Sequence, residues 1–232
     1  MGFPARRIDQ SKRPYGEEMQ RRRRTPGTCI AAENSVYGPK SLLYRHEAIM
    51  AAIETPICDF GAPAPDFRLP GVDGKMWTRD ECAGSQGLLV MFICNHCPYV
   101  KAVRERIVRD ARELTALGIG VVAVNSNDAT QYPDDSFEAM QTAAKQYAYP
   151  FPYLYDASQD VARAYDAVCT PDFFGYDAQG GLQYRGRLDE SRREAAPQGV
   201  RRELFEAMKQ VAETGRGPRE QIPSMGCSIK WA

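Results

Sequence analysis

Cys94 and Cys97, separated by two residues in Cys94-Asn95-His96-Cys97-Pro98, are the grouping in the chain whose residue types and spacing point most directly to redox chemistry. Thiols so spaced can cycle between dithiol and disulfide, attack a foreign disulfide, or supply half of a tetrahedral zinc site. Zinc usually takes a second cysteine pair or histidines at recognisable spacing, and the chain has no second pair and only His46 and His96. His96 lies inside the spacer and is expected to point away from any ion shared by the cysteines beside it. Copper(I) favours soft thiolates and remains a rival occupant of Cys94, Cys97 and Cys169. The leading reading is an exchangeable dithiol, with no cofactor and no resident metal.

The elements around the pair support that chemistry. Leu88-Leu89-Val90-Met91-Phe92-Ile93 is continuously apolar, as in a strand buried on both faces of a sheet, and it is too short to span a membrane. Beyond Pro98, apolar residues recur at Val100, Val103, Ile107, Ala111, Leu114 and Leu117, with Arg104, Arg106, Arg109, Arg112 and Glu113 opposite. This period predicts a helix that Gly118 ends. The arrangement is expected to place Cys94 at the helix N-terminus, where unpaired amides and the dipole favour an anion. A free thiol of pKa near 8.5 is only about 3% ionised at pH 7, whereas one near ~6.5 is about 75% ionised. Cys94 is therefore expected to attack and Cys97 to resolve.

Composition limits the alternatives. The chain has 232 residues, 43% of them hydrophobic, enough for a core, and seven cysteines, too few and of the wrong parity for a fully paired disulfide scaffold. A reducing compartment is favoured, and the expected localisation is cytoplasmic. Residues 1–49 hold ten Lys/Arg against five Asp/Glu, leaving twenty against twenty-five for the rest. This segment, with its run Arg21–Arg24, reads as a disordered basic extension without signal peptide, nucleic-acid role or membrane role. Residues 50–214 read as one domain, and 215–232 as a tail whose Cys227 packs on it. Cys29, Cys58 and Cys82 read as ordinary small residues.

Further along, Gly61–Pro70 predicts a short strand followed by a turn at Gly71–Gly74, and Val121–Asn125 a second buried strand joined to the first through the helix. Pro133-Asp134-Asp135-Ser136 opens another helix, with Asp135 and Glu138 spaced as a capping box. Tyr153–Tyr155 predicts a strand and Gln159–Tyr165 a brief helix. A hairpin over Phe173–Arg187 comes next, and then a helix on Val200, Leu204, Met208 and Val211 that stops at Gly215. The tail beyond Arg216 has no period.

This order of elements is similar to the thioredoxin fold, an α/β fold with a central mixed sheet flanked by helices. Thr170-Pro171 then resembles its cis-proline loop, setting Thr170 beside the pair and shaping a groove where an extended substrate adds a strand. Phe92–Lys101, Asn125–Asp128, Tyr132–Ser136, Cys169–Phe174 and Pro223–Trp231 together resemble a peroxiredoxin-like group of the alkyl hydroperoxide reductase and thiol-specific antioxidant superfamily. The resemblance implies a thiol:disulfide oxidoreductase acting through Cys94 and Cys97, with His96 favouring the thiolate and Thr170 and Pro171 in support. Its partners would be a protein or small-molecule disulfide and an electron donor. Cys169 and Cys227 stand as possible further redox residues, alone or as a pair. A thiol peroxidase is the alternative, but such a site needs Thr three and Pro seven residues before its cysteine. Cys94 is preceded there by Met91 and Gly87, and Cys97 by Cys94 and Val90. The apolar strand also offers no buried acid to serve the pair.

Overall fold

The computed structural model describes residues 52–232. The expectations for residues 1–49, Cys29 included, lie outside the described residues. In chain order the elements are β1 (Ala52–Glu54), β2 (Arg68–Pro70), β3 (Met76–Thr78), α1 (Arg79–Cys82), β4 (Gly87–Phe92), α2 (Pro98–Ala116) and β5 (Ile119–Asn125). A 3₁₀ turn at Pro133–Asp135 leads to α3 (Phe137–Gln146), β6 (Tyr153–Tyr155), α4 (Asp160–Ala164), β7 (Cys169–Thr170), β8 (Asp172–Asp177), β9 (Leu182–Tyr184), α5 (Glu203–Thr214) and β10 (Met225–Ser228).

The central sheet is mixed. β4 pairs antiparallel with β8, β8 with β9, and β5 runs parallel to β6. β5 lies beside β4, where Ile93 N–H donates to Val124 C=O at 3.0 Å. Every residue of β4 is buried, as its continuous apolar run requires. Alternate side chains serve two cores. Leu89, Met91 and Ile93 pack with α2, α3 and α5 on one face, and Leu88, Val90 and Phe92 with α4 and the hairpin on the other. Phe92 meets the rings of Tyr165 at 5.5 Å and Phe174 at 5.7 Å. Phe92→Ala is expected to cost about 3–5 kcal/mol through the cavity it leaves, lowering Tm on the order of 10 °C in a thermal melt.

Local chemistry adjusts three expected boundaries. Ser136, rather than Asp135, caps α3: its Oγ accepts the Ala139 amide at 3.3 Å, while Asp135 turns inward and is fully buried. Val200 precedes α5, which starts at Glu203 and ends on left-handed Gly215. The tail without periodicity nonetheless forms β10, antiparallel to both β1 and β7. Gly226 makes this possible, because a Cβ there would lie 2.1 Å from the Thr170 carbonyl oxygen.

Candidate active site

β4 delivers the chain into a bend at Asn95-His96, and α2 starts immediately after Cys97. Pro98 occupies the first helical position, where its missing N–H costs nothing, so the residue before it becomes the N-cap. That residue is Cys97. The expectation that Cys94 holds the helix terminus is thereby corrected: Cys94 sits three residues earlier, buried, at the mouth of the bend.

The two thiols are bonded to one another and to common neighbours. Contacts with Cys227 and then Cys94 pull the Cys97 thiol downward against burial, yet the Thr170 carbonyl oxygen beside its sulfur is a partner only for S–H, so the geometry keeps the proton on Cys97. Burial raises Cys94 first, then its bond to Cys97 and the charge of Asp135, while the Thr170 hydroxyl favours its thiolate.

Thr170-Pro171 is a cis peptide and stands against both cysteines. Thr170 Oγ1 lies 3.2 Å from Cys94 Sγ, and the Thr170 carbonyl oxygen 3.1 Å from Cys97 Sγ. The groove expected there is filled. Cys227 pairs with Thr170 and Ser228 with Cys169, so β10 already takes the strand edge that an extended substrate would use. Ser224 Oγ further donates to the Pro171 carbonyl at 2.8 Å.

The two remaining thiols separate. Cys227 Sγ lies 2.9 Å from Cys97 Sγ and has its proton held by that contact first and by burial second. Cys169 is one residue out of register with Cys227, so its side chain leaves the other face of the strand pair. It approaches the Pro171 carbonyl instead, and burial pushes its thiol up. No Cys169–Cys227 pairing is formed. Cys58 and Cys82 stay apart as free thiols raised chiefly by burial, Cys58 to about 11 and Cys82 to about 12.

His96 touches neither sulfur by hydrogen bond. Its Nδ1 binds Asp135 Oδ2 at 2.5 Å and its ring stacks on Tyr132 at 5.0 Å. Asp135 is the functional residue that the sequence reading missed. Its carboxylate also accepts the Asn95 amide at 2.7 Å and Asn127 Nδ2 at 2.8 Å, pinning the bend between the two cysteines. Arg104, expected on the solvent face, is buried, lies over the Tyr147 ring at 4.0 Å, and reaches the Asn95 carbonyl at 3.4 Å. Ligand atoms of Cys94, His96 and Asp135 fall within 4.8 Å of one another. An ion there would have to displace the bonds that already occupy both Asp135 oxygens, so this trio fits a polar brace better than a metal centre.

The buried acid absent from β4 comes from β8. Asp172 stands opposite Phe92, and burial pushes it up to about 6 although Arg185 Nη2 lies 3.2 Å away. Its charge bears on Cys169. Because its folded value exceeds the unfolded one of 3.8, the folded state holds an extra proton between these limits, and this contribution to stability is lost as pH rises through about 6. Asp172→Asn is therefore expected to steepen the rise of unfolding free energy with pH between about 4 and 6, read from urea melts at several pH values.

A mixed sheet flanked by helices, with a Cys-X-X-Cys pair at the start of α2 beside a cis Thr170-Pro171, defines a thioredoxin-fold protein. The chain belongs to the AhpC/TSA family, which residues 60–185 match, as a peroxiredoxin-like member of the thioredoxin superfamily. It is similar to the structure of an uncharacterized conserved protein from Geobacillus kaustophilus, with 45% identity, TM-score 0.75, and 79% of this chain and 97% of that one covered. It is also similar to a hypothetical protein from Sinorhizobium meliloti 1021, with 41% identity, TM-score 0.71 and coverage of 77% and 97%. A candidate thiol:disulfide interchange protein, DsbE, from Chlorobium tepidum shares the fold at 22% identity and TM-score 0.50, over 67% of this chain and 99% of that one. No curated protein matches the chain at a significant level. Among the described residues, no helix is long and apolar enough to cross a membrane.

Proposed function

We propose that the protein is a thiol:disulfide oxidoreductase in which Cys94 attacks a substrate disulfide and Cys97 resolves the mixed disulfide. The observation that carries this reading is the Thr170 hydroxyl 3.2 Å from Cys94 Sγ, where it can donate to a thiolate, while Cys97 Sγ donates to the Thr170 carbonyl oxygen and so holds its proton. Attack by the Cys94 thiolate releases one half of the substrate as a thiolate. The Cys97 sulfur then displaces the other half, forming the Cys94–Cys97 disulfide and giving up its proton to the departing sulfur. An external dithiol restores the reduced pair.

A cleft of about 820 Å³ lies over the start of α2, bordered by Pro98, Tyr99, Tyr132, Arg192, Met225 and Cys227. Peroxide is less well served, because Met91 and Gly87 stand three and seven residues before Cys94, where a peroxidatic loop carries its threonine and proline. Copper(I) is less well served too, because Cys169 faces away from the pair.

The test is thiol mapping. The reduced protein is exposed to oxidised glutathione, quenched with an alkylating agent and digested. Cys94 is expected to be consumed in every oxidised molecule. Recovery of oxidised protein with Cys94 still alkylated would overturn the reading.

A further inference from the structure

Arg104 is a buried charge without a counter-ion. It is only 8% exposed, and no carboxylate among the described residues pairs with it. Its guanidinium lies over the Tyr147 ring at 4.0 Å, and its Nη2 reaches the Asn95 carbonyl oxygen at 3.4 Å. Its Nε is buried and has no partner. Burial holds the Tyr149 proton against the pull of Arg104, so that hydroxyl is no counter-ion either. Arginine is seldom buried this far unpaired, because an uncompensated charge away from water is costly.

The guanidinium is not sealed in. With Val108, Arg109, Arg112 and Tyr147 it lines a cleft of about 420 Å³ between α2 and the end of α3. Most of the other charges there are already matched. Arg109 pairs with Asp110 at 2.7 Å, and Glu113 with Arg202 at 2.9 Å. Arg112 has only the Ala148 carbonyl oxygen at 3.3 Å, and among the described residues Glu105 forms no ion pair. Two guanidiniums thus border the cleft without a carboxylate, and the Glu105 side chain, exposed to water, leaves both uncovered.

We propose that this cleft is a binding site for a small organic carboxylate, held between Arg104 and Arg112 with its apolar body along Val108 and Tyr147. A carboxylate matches the planar donors of arginine and supplies the acceptor that Arg104 Nε lacks. The volume falls in the range of small-ligand pockets, and the apolar surface between the cations favours an organic acid over a bare inorganic anion. Because Arg104 also holds the Asn95 carbonyl, the occupant and the bend between Cys94 and Cys97 share one guanidinium. The site is independent of which cysteine attacks.

Benzoate is the probe, titrated into the full-length reduced protein at low ionic strength and followed by calorimetry. Saturable one-to-one binding is expected, with Kd on the order of 1 mM. Benzamide, of the same shape but uncharged, is expected to bind at least about tenfold more weakly, and inorganic phosphate, without an apolar body, severalfold more weakly. Arg112→Gln is expected to weaken benzoate about tenfold with Tm within about 2 °C, since that side chain is exposed. Arg104→Lys keeps the charge but loses the fork, and is expected to weaken benzoate as much. Arg219→Gln removes a like charge from a separate cleft, beside Tyr184 and Glu203, and is expected to leave binding unchanged. Glu105→Gln removes the competing carboxylate and is expected to tighten binding severalfold.

Absence of saturable benzoate binding, or equal losses in Arg112→Gln and Arg219→Gln, would overturn the site. Benzamide or phosphate binding as tightly as benzoate would overturn its assignment to an organic carboxylate. If Arg104→Lys fails to fold, the contrast between Arg112→Gln and Arg219→Gln decides alone.

Discussion

Cys94→Ser is expected to lower disulfide-exchange turnover by at least about 10³-fold, because a serine hydroxyl cannot replace a thiolate nucleophile at neutral pH. Cys97→Ser leaves the attacking group in place and is expected to trap the mixed disulfide on Cys94, read as a mass gain on the peptide that carries it. The pH profile adds an independent mark. Burial, the bond to Cys97 and the Asp135 charge all oppose ionisation of Cys94, so the rate of stopped-flow exchange with a small disulfide is expected to rise about tenfold per unit between about pH 7 and 8.5 as the thiolate fraction grows. A flat profile over that interval, or Cys94→Ser turning over within tenfold of the parent, would show that Cys94 is not the ionising nucleophile.

Much of this site is legible in the sequence. The unbroken apolar run suits a doubly buried strand, the helical period follows Pro98, and Thr170-Pro171 falls where a cis-proline loop belongs. The register of the helix start is legible too, since a proline at the first helical turn makes the preceding residue, Cys97, the cap.

Other parts were not written in local pattern. Asp135 and Glu138 have capping-box spacing, and the carboxylate turns away only because the Asn95 amide, His96 and Asn127 offer three donors from other segments. Met225-Gly226-Cys227-Ser228 shows neither alternation nor strong strand propensity; it becomes a strand because two free edges meet it and Gly226 tolerates the approach. Arg104 sits on the polar side of the helical count, yet the Tyr147 ring and the Asn95 carbonyl draw it under cover.

Asp135→Asn carries the second large effect, and it reaches the chemistry through Cys94. Burial alone would push the Asp135 carboxyl up, but bonds from His96 and Asn127, the His96 charge and the Asn95 amide hold it below the usual range. An amide of the same shape can accept from at most two of the three donors and must turn its own N–H₂ toward the third. About 2–3 kcal/mol of stability is expected to be lost at neutral pH, read by urea denaturation. The native carboxylate's contribution is present above its unfolded value near 3.8 and is lost as pH falls through the lower folded value, so the gap between the two proteins is expected to close in strong acid. A brace of purely structural importance would stop there. The Asp135 charge also helps to hold the proton on Cys94, so its removal is expected to lower the Cys94 pKa and make Cys94 a better leaving thiolate. The Cys94–Cys97 disulfide then becomes easier to reduce, and the couple's potential, measured against glutathione, shifts in the oxidising direction. An unchanged potential alongside the stability loss would confine Asp135 to holding the bend, and a reducing shift would contradict the electrostatic link between Asp135 and Cys94.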